Sequence, residues 1–266
     1  MLKRATKVLA ASAVLAVLLA ACGSDGGDAN NANNDANNSS GNGSVAEPAA
    51  AEVDLQAFCD AVVSAESAVL AAAEGLPGDD PAPLLDAAEA DAPEEIADDL
   101  NVVVAAARTA LETQDTTGFE SDEFTSSDGA LDGYIASNCE SQQAAVTAAD
   151  YAFEVPPTLA AGRVTFEFTN GGEELHEMLL MRIEEEGLGV DDLLGMPEKE
   201  AMKKVTFVRA MFAAPGDSDT ETFDLEAGEY ALVCFVPVGS TSFEEAQSAK
   251  GPPHALKGMR AQISVQ

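Results

Sequence analysis

Four side chains in the second half of the sequence could together bind a soft metal ion. His176 and His254 are the only histidines among the 266 residues, Cys234 lies between them, and Met259 follows the second. Two imidazoles, a thiolate and a weak thioether are the donors of a type 1 copper site, and they suit both Cu(I) and Cu(II). Such a site rearranges little when the charge of the metal changes, which favours one-electron transfer. The donor set therefore indicates a copper site.

Strand patterns surround these four donors. From Tyr151 onward the hydrophobic period changes to two, as in Val164–Thr169, where apolar and polar residues alternate. Tyr230, Leu232 and Cys234 share parity, so we expect them to point to the same face of one strand. Further strands are predicted at 174–183, 220–225, 229–236 and 260–265, and an acidic helical insertion at 184–204 is interrupted near 196–197.

The second half of the chain, Tyr151–Gln266, resembles the plastocyanin/azurin family, the cupredoxins. Residues 164–172 with His176 are similar to the strand and turn before the first histidine ligand of that family. Residues 227–234 are similar to the strand that ends at its cysteine ligand, and residues 254–259 reproduce its His-x4-Met pattern with a glycine before the methionine. The resemblance implies a Greek-key β-sandwich over 150–266 that holds one type 1 copper. Its equatorial ligands would be His176, Cys234 and His254, and its axial ligand Met259.

Two features depart from the pattern of that family. Nineteen residues (235–253) separate Cys234 from His254, where the family has only a few, and 242–249 could form a helical turn. The helical insertion at 184–204 is also unusual. Long insertions cost only about 0.6 kcal/mol per doubling of loop length, but a long loop braces the two ligands less. We therefore expect a looser or more exposed site, or one without copper.

The first fifty residues are typical of an exported lipoprotein. A basic start precedes the apolar run 8–19, which is too short to span a bilayer comfortably and is typical of a signal peptide. Leu19–Cys22 resembles a bacterial lipobox, which predicts a signal peptide over 1–21 and lipidation at Cys22. Residues 22–51 are almost all Gly, Ser, Asn, Asp and Ala, which favours a disordered tether. We expect a lipid anchor in the cell membrane and a protein on the extracytoplasmic face.

Residues 52–147 are predicted to form a small helical bundle. Apolar residues recur at three- and four-residue steps from Leu55 to Val69 and from Ile96 to Leu111. Asp91 precedes Pro93 and two acids, which predicts a helix start capped by Asp91. Short helices are predicted at 83–90 and 130–139. No histidine, paired buried acid or nucleophile–base pair is expected here, and the region could be a partner-binding module or a spacer.

Cysteine usage predicts one disulfide in this helical region. With Cys22 assigned to the anchor and Cys234 to the metal site, Cys59 and Cys139 remain. Two cysteines in one small domain of an exported protein favour a disulfide bond. The bond would close a loop of roughly 80 residues and contribute about 4 kcal/mol to stability.

The charge is strongly one-sided. Lys and Arg number 13 and Asp and Glu 47, a formal net charge of −34. Nucleic-acid binding needs a basic face, so this composition argues against a nucleic-acid partner, and it also argues against lying on an anionic membrane surface. Solubility or a basic protein partner accounts for the acidity.

The sequence predicts an electron carrier and not an enzyme. Two histidines are too few for a second, three-histidine copper cluster, and a binuclear site would need two cysteines in one loop, where only Cys234 is present. We expect a membrane-tethered type 1 copper protein that serves a redox partner protein. One alternative is a lipoprotein that binds and delivers Cu(I) through His176, Met178, His254 and Met259. Another is a metal-free cupredoxin-like module that binds a protein.

Overall fold

A helical part precedes a β-sandwich, which confirms the predicted fold class. A computed structural model describes residues 54–75 and 78–266. The predicted signal peptide, the lipidation site at Cys22 and the tether lie outside these residues. The helices of the first part are α1 (Leu55–Glu74), α2 (Pro81–Ala90), α3 (Ala97–Thr113) and α4 (Asp122–Asn138), with a 3-10 turn (Thr117–Glu120) before α4.

Side-chain caps fix the starts of three of these helices. The carboxylates of Asp54 and Asp80 accept hydrogen bonds from backbone amides in the first turns of α1 and α2, and Ser121 does the same for α4. These are the residue types that satisfy the free amides of a helix start. Gly75 ends α1 in the left-handed conformation that glycine adopts without strain.

The predicted cap at Asp91 is wrong. Its amide still donates to the carbonyl of Ala87, so Asp91 closes the end of α2. A turn follows in which the amide of Ile96 donates to the carbonyl of Pro93. Helix α3 begins only at Ala97, after this turn.

The disulfide between Cys59 and Cys139 is present. It joins α1 to the residue after α4, with the two Cα atoms 5.7 Å apart. Both cysteines are buried in the helical core together with Phe58, Leu100 and Leu131. Among the described residues, α1 is the one helix that length and composition would allow to cross a membrane, but 44% of that stretch is buried inside the protein. Helix α1 is therefore a core helix of this unit.

Among the described residues, nine strands form two sheets. One sheet has the order β2-β1-β4-β7 and the other the order β3-β9-β8-β5-β6. Pairs β1–β4 and β3–β9 are parallel, and the other pairs are antiparallel. The strands are β1 (Gln142–Ala149), β2 (Ala152–Glu154), β3 (Thr158–Leu159), β4 (Gly162–Asn170), β5 (His176–Ile183), β6 (Val205–Ala213), β7 (Ser218–Leu225), β8 (Gly228–Val233) and β9 (Arg260–Val265).

Strands β1 and β6 and the short strands β2 and β3 were not predicted. The helical pattern was expected to continue to about Val146, but α4 ends at Asn138 and β1 begins at Gln142. Ala144, Val146 and Ala148 alternate into the sandwich core, and pairing with β4 overrides the helix preference of alanine. Strand β6 follows the acidic insertion directly and pairs with β5 at the edge of its sheet.

The acidic insertion covers the outer face of β5. It forms two short helices, α5 (Val190–Gly195) and α6 (Glu198–Ala201), on either side of the predicted break. Leu179 and Met181 of β5 pack under this cover, whereas Met178 and Leu180 face the core between the sheets. Strand β5 is therefore buried on both faces, which explains its nearly continuous apolar sequence.

Charged groups lie between the helical part and the sandwich, where α1 and α4 pack against β7. Arg209 is almost fully buried and pairs with Glu221 at 3.1 Å and with Glu66 at 3.9 Å. A cavity of about 100 Å³ beside it is also lined by Asp128 and Asp132. The expectation of no paired buried acids in the helical part is therefore wrong, because α1 and α4 turn Glu66, Asp128 and Asp132 toward the sandwich.

Burial raises the pKa values of these carboxyl groups. The pKa is about 7 for Glu66 and Asp128 and about 8 for Glu221, and that of Asp132 is also raised well above its ordinary value. Arg209 opposes the shift in Glu66, Asp128 and Glu221, but one guanidinium cannot offset burial and mutual repulsion. The interface therefore takes up protons when it forms.

Stability should fall as the pH rises from about 4 to about 8. A carboxyl group whose pKa is raised on folding binds more protons in the native state than in the unfolded chain. Its contribution to stability is therefore fully present below the pKa of the unfolded chain and is lost as the pH rises through the pKa of the folded protein. We expect a loss on the order of a few kcal/mol, measured by denaturant unfolding at pH 5 and pH 8.5. Glu66→Gln with Glu221→Gln should flatten this dependence, whereas the exposed control Glu167→Gln should not. An equal pH slope in both variants would contradict the burial of these acids.

Candidate metal centre

The four predicted donors lie at one end of the sandwich. Strand β8 is antiparallel to β5 and β9, so its end lies beside the starts of both neighbours. His176 is the first residue of β5, Cys234 directly follows β8, and Met259 directly precedes β9. His254 begins a 3-10 turn that leads into Met259. The strand topology therefore brings His176, Cys234 and Met259 to one end of the sandwich, and the turn before β9 adds His254.

Three of the donors form a buried cluster. Nδ1 of His176 is 3.2 Å from Nδ1 of His254, which is 3.4 Å from Sγ of Cys234. All three residues are fully buried, and their donor atoms lie within 4.8 Å of one another. Two nitrogens bonded to one metal ion at about 2.0–2.1 Å lie no more than about 4.2 Å apart. The spacing and the donor types thus fit a single soft or borderline metal ion.

Met259 lies beside this cluster. Its backbone carbonyl accepts a hydrogen bond of 3.2 Å from the amide of Cys234, and its side chain is fully buried in the sandwich core. Tyr230 and Leu232 lie in the same core as Cys234, which confirms that the three share one face. The role of the Met259 thioether as an axial ligand stays a prediction.

The long loop after Cys234 does not expose the site. Its two ends pair with each other: the amide of Ala255 donates to the carbonyl of Cys234 at 2.8 Å, and the amide of His254 donates to that of Val236 at 3.0 Å. The two sides of the loop approach closely, since a Cβ added at Gly251 would lie only 2.6 Å from the carbonyl oxygen of Val238. The rest of the loop, with helix α7 (Phe243–Ser248), extends beyond this paired base. The prediction of an exposed site is wrong, because the extra residues of the long loop begin only beyond its hydrogen-bonded ends.

Two carboxylates contact the outer edges of the imidazoles. Nε2 of His176 is 3.2 Å from Oδ1 of Asp150, and Nε2 of His254 is 3.0 Å from Oε2 of Glu174. Asp150 lies in the two-residue turn between β1 and β2. Its neighbour Tyr151 donates its hydroxyl proton to Oε1 of Glu174 at 2.8 Å, and its ring stands edge-on to that of His254 at 5.2 Å.

Asn170 organises the turn before His176. Its side-chain amide nitrogen donates to the carbonyls of Glu174 and Ala213, and its side-chain oxygen accepts from the amide of Gly172, each at 2.8 Å. Asn170 is buried, so these bonds satisfy a polar group that would otherwise be costly to bury. The predicted turn at 170–172 thus fixes the position of His176.

The surroundings favour the neutral forms of His176 and Cys234 before a metal binds. Burial lowers the pKa of His176, and the nearby His254 lowers it further. Burial also raises the pKa of the Cys234 thiol, with a contribution from the carboxyl group of Glu177. A metal cation must therefore displace the thiol proton, which selects an ion that bonds strongly to sulfur.

Two acids next to the ligands behave differently. Burial acts to raise the pKa of Glu174, but hydrogen bonds from the Gly239 amide, Tyr151 and His254 leave that pKa below its ordinary value. Burial raises the pKa of Glu177 to about 7, and its carboxyl group accepts a hydrogen bond of 3.0 Å from the amide of Phe235. Glu177 thereby braces the residue after Cys234.

These surrounding residues were not predicted from the sequence. Glu174 and Glu177 flank His176 and could have been proposed from that proximity. Asp150 and Tyr151 gave no signal, because only the pairing of β1 with β4 brings their turn to the metal-binding end of the sandwich.

No protein-family model and no curated protein matches this chain. Solved structures similar to it include auracyanin from Roseiflexus castenholzii, which is 18% identical in sequence. This match covers 47% of this chain and 98% of the auracyanin chain, with a TM-score of 0.32. Auracyanin A from Chloroflexus aurantiacus has 19% identity, 46% and 99% coverage and a TM-score of 0.28. Rusticyanin from Thiobacillus ferrooxidans has 19% identity, 48% and 79% coverage and a TM-score of 0.29. These neighbours are cupredoxins, and the similarity lies in the C-terminal half.

Gly172 should be essential for the metal site. A Cβ at this position would lie 2.6 Å from Nε2 of His176 and would also collide with Oδ1 of Asp150. Displacing contacts of this kind at metal-binding histidines commonly lowers metal affinity about 10- to 100-fold. We expect Gly172→Ala to weaken Cu(II) binding by that factor in a competition titration.

Gly171→Ala provides a matched control for this test. An added Cβ at Gly171 has only the carbonyl oxygen of Ala148 nearby, at an ordinary distance of 3.6 Å. The control should bind Cu(II) like the unaltered protein. Equal affinities for Gly171→Ala and Gly172→Ala would contradict the contact between Asp150 and His176.

Proposed function

We propose that this protein binds one copper ion through His176, Cys234 and His254 and transfers single electrons. The observation that supports this most strongly is the buried convergence of two Nδ1 atoms and one Sγ atom. Copper bound there would supply a one-electron couple between Cu(I) and Cu(II). Auracyanin A is a blue copper protein and rusticyanin a copper protein. The proposal that this chain also binds copper rests on its own donor residues.

The protein would hold its ligands in nearly fixed positions during electron transfer. His176 is held by β5 and by the turn around Asn170, and Cys234 and His254 are held by the paired base of the loop. Since all three ligands are buried, water cannot readily add to the site or remove a ligand. Met259, fully buried beside Cys234, is the proposed axial ligand. A fixed, dry ligand set lowers the rearrangement that accompanies each electron.

We also propose that the protein is a carrier and not a catalyst, tethered outside the cell membrane through Cys22. The Cys59–Cys139 disulfide supports an oxidising compartment. A net charge of −34 favours a basic surface on the redox partner protein. Metabolic labelling with palmitate would test the anchor: the label should enter the protein and be lost in Cys22→Ser.

Copper titration tests the proposed function. We expect an intense thiolate-to-copper absorption band and a type 1 EPR signal that saturate at one Cu(II) per full-length chain. Cys234→Ser should abolish the band, because it removes the sulfur that produces it. Cys22→Ser is the matched control and should leave the band unchanged.

Other outcomes of the titration favour the alternatives. Tight Cu(I) binding without the band, unchanged in Cys234→Ser, would favour Cu(I) delivery through His176, Met178, His254 and Met259. Met178 is fully buried between the sheets, where its side chain serves the core. A protein that binds no stoichiometric copper would instead favour a module that binds a protein partner.

A further inference from the structure

Each metal-facing imidazole presents its far nitrogen to a carboxylate. His176 and His254 are fully buried, whereas the carboxylate side chains of Asp150 and Glu174 are 34% and 16% exposed. The distances of 3.2 Å and 3.0 Å are within hydrogen-bonding range. In a neutral imidazole, an Nε2–H that donates to a carboxylate leaves Nδ1 without a proton. The two Nδ1 atoms lie 3.2 Å apart, and that of His254 is 3.4 Å from Sγ of Cys234.

Other groups hold each carboxylate in place. Oδ1 of Asp150 accepts from the amides of Glu173 at 3.0 Å and Glu174 at 3.3 Å. The Glu174 carboxylate accepts from the hydroxyl of Tyr151 and from the amide of Gly239 in the long loop. Each carboxylate thus links its imidazole to a second segment of the chain.

The backbone is shaped to allow these contacts. Tyr151 has a φ of 70°, in the left-handed region that few residues other than glycine adopt. This conformation accompanies the placement of its ring against His254 and its hydroxyl on Glu174. Gly172 leaves the space in which Asp150 meets His176. Strained or space-restricted backbone on both sides of the site suggests that the contacts serve its function.

We propose that Asp150 and Glu174 are positioning residues that orient the two imidazoles and lower the reduction potential of the bound copper. A carboxylate that accepts an imidazole N–H makes the opposite nitrogen a stronger donor. Negative charge beside a buried cation also stabilises the more highly charged ion, Cu(II), more than Cu(I). The proposal rests on the proposed copper function and deepens it.

The same contacts close the site to solvent at His254. Glu174 occupies the Nε2 edge of this imidazole and Tyr151 covers part of its ring, so neither water nor a partner protein reaches the ring directly. Leu256, two residues later in the same turn, is 64% exposed. The turn thus presents an exposed apolar side chain next to a covered ligand.

Voltammetry of the copper-loaded, full-length protein tests the proposal. Asp150→Asn and Glu174→Gln keep the size of each side chain but remove its charge. We expect each to lower the preference for Cu(II) over Cu(I) about tenfold, which raises the one-electron potential by about 59 mV. Glu173→Gln is the matched control: it removes the same charge from an exposed neighbour that contacts neither imidazole, and it should change the potential much less.

Proton exchange at Nε2 provides a second readout. In the diamagnetic Cu(I) form, NMR should show slowly exchanging Nε2–H protons on both histidines. Asp150→Asn should accelerate exchange at His176 alone, and Glu174→Gln at His254 alone. A merely structural role would not produce this residue-specific pattern.

Two negative results can be told apart. If the unaltered protein shows the charge-transfer band but Asp150→Asn and Glu174→Gln shift the potential no more than Glu173→Gln, the tuning role is wrong and the copper function stands. If the unaltered protein shows no band, the copper function fails, and the tuning role fails with it.

Discussion

The metal-binding end of this protein depends on the pairing of the two ends of one long loop. The nineteen residues between Cys234 and His254 could have separated these donors widely. Instead, backbone hydrogen bonds continue from β8 and β9 into the loop, so that Ala255 bonds to Cys234 and His254 bonds to Val236. This antiparallel pairing places an imidazole next to a thiol, and helix α7 is added outside it without disturbing the site.

Burial then decides the chemistry of the cluster. Burial lowers the pKa of His176 and raises that of the Cys234 thiol, because charge is costly in a dry interior. A cation that replaces the thiol proton relieves this cost and gains three donors already in place. The acidic groups Asp150 and Glu174 lie beside the two imidazoles and supply negative potential without entering the cluster.

The sequence predicts the donors and most of the strands that hold them, because both signals are local. The alternation around Cys234 and the order of His176, Cys234, His254 and Met259 can be read directly from the chain. The parts that it does not predict depend on long-range pairing. Strand β1 has an alanine-rich sequence that suits a helix, and only its parallel pairing with β4 makes it a strand.

Contacts across the fold escaped prediction for the same reason. Asp150 meets His176, and Glu66 meets Arg209, although the sequence gives no local sign of either pair. The compactness of the long loop was also unpredictable, since its length says nothing about where its hydrogen bonds begin. The contact of the helical part with the sandwich through half-buried acids likewise forms only in the folded chain and could not be predicted.

X-ray absorption at the copper edge, on the loaded protein in both oxidation states, would identify the atoms bonded to copper. We expect two imidazole nitrogens and one short copper–sulfur bond, with little change on reduction and loss of the short sulfur bond in Cys234→Ser. A first shell of nitrogen and oxygen alone in the unaltered protein would contradict this expectation.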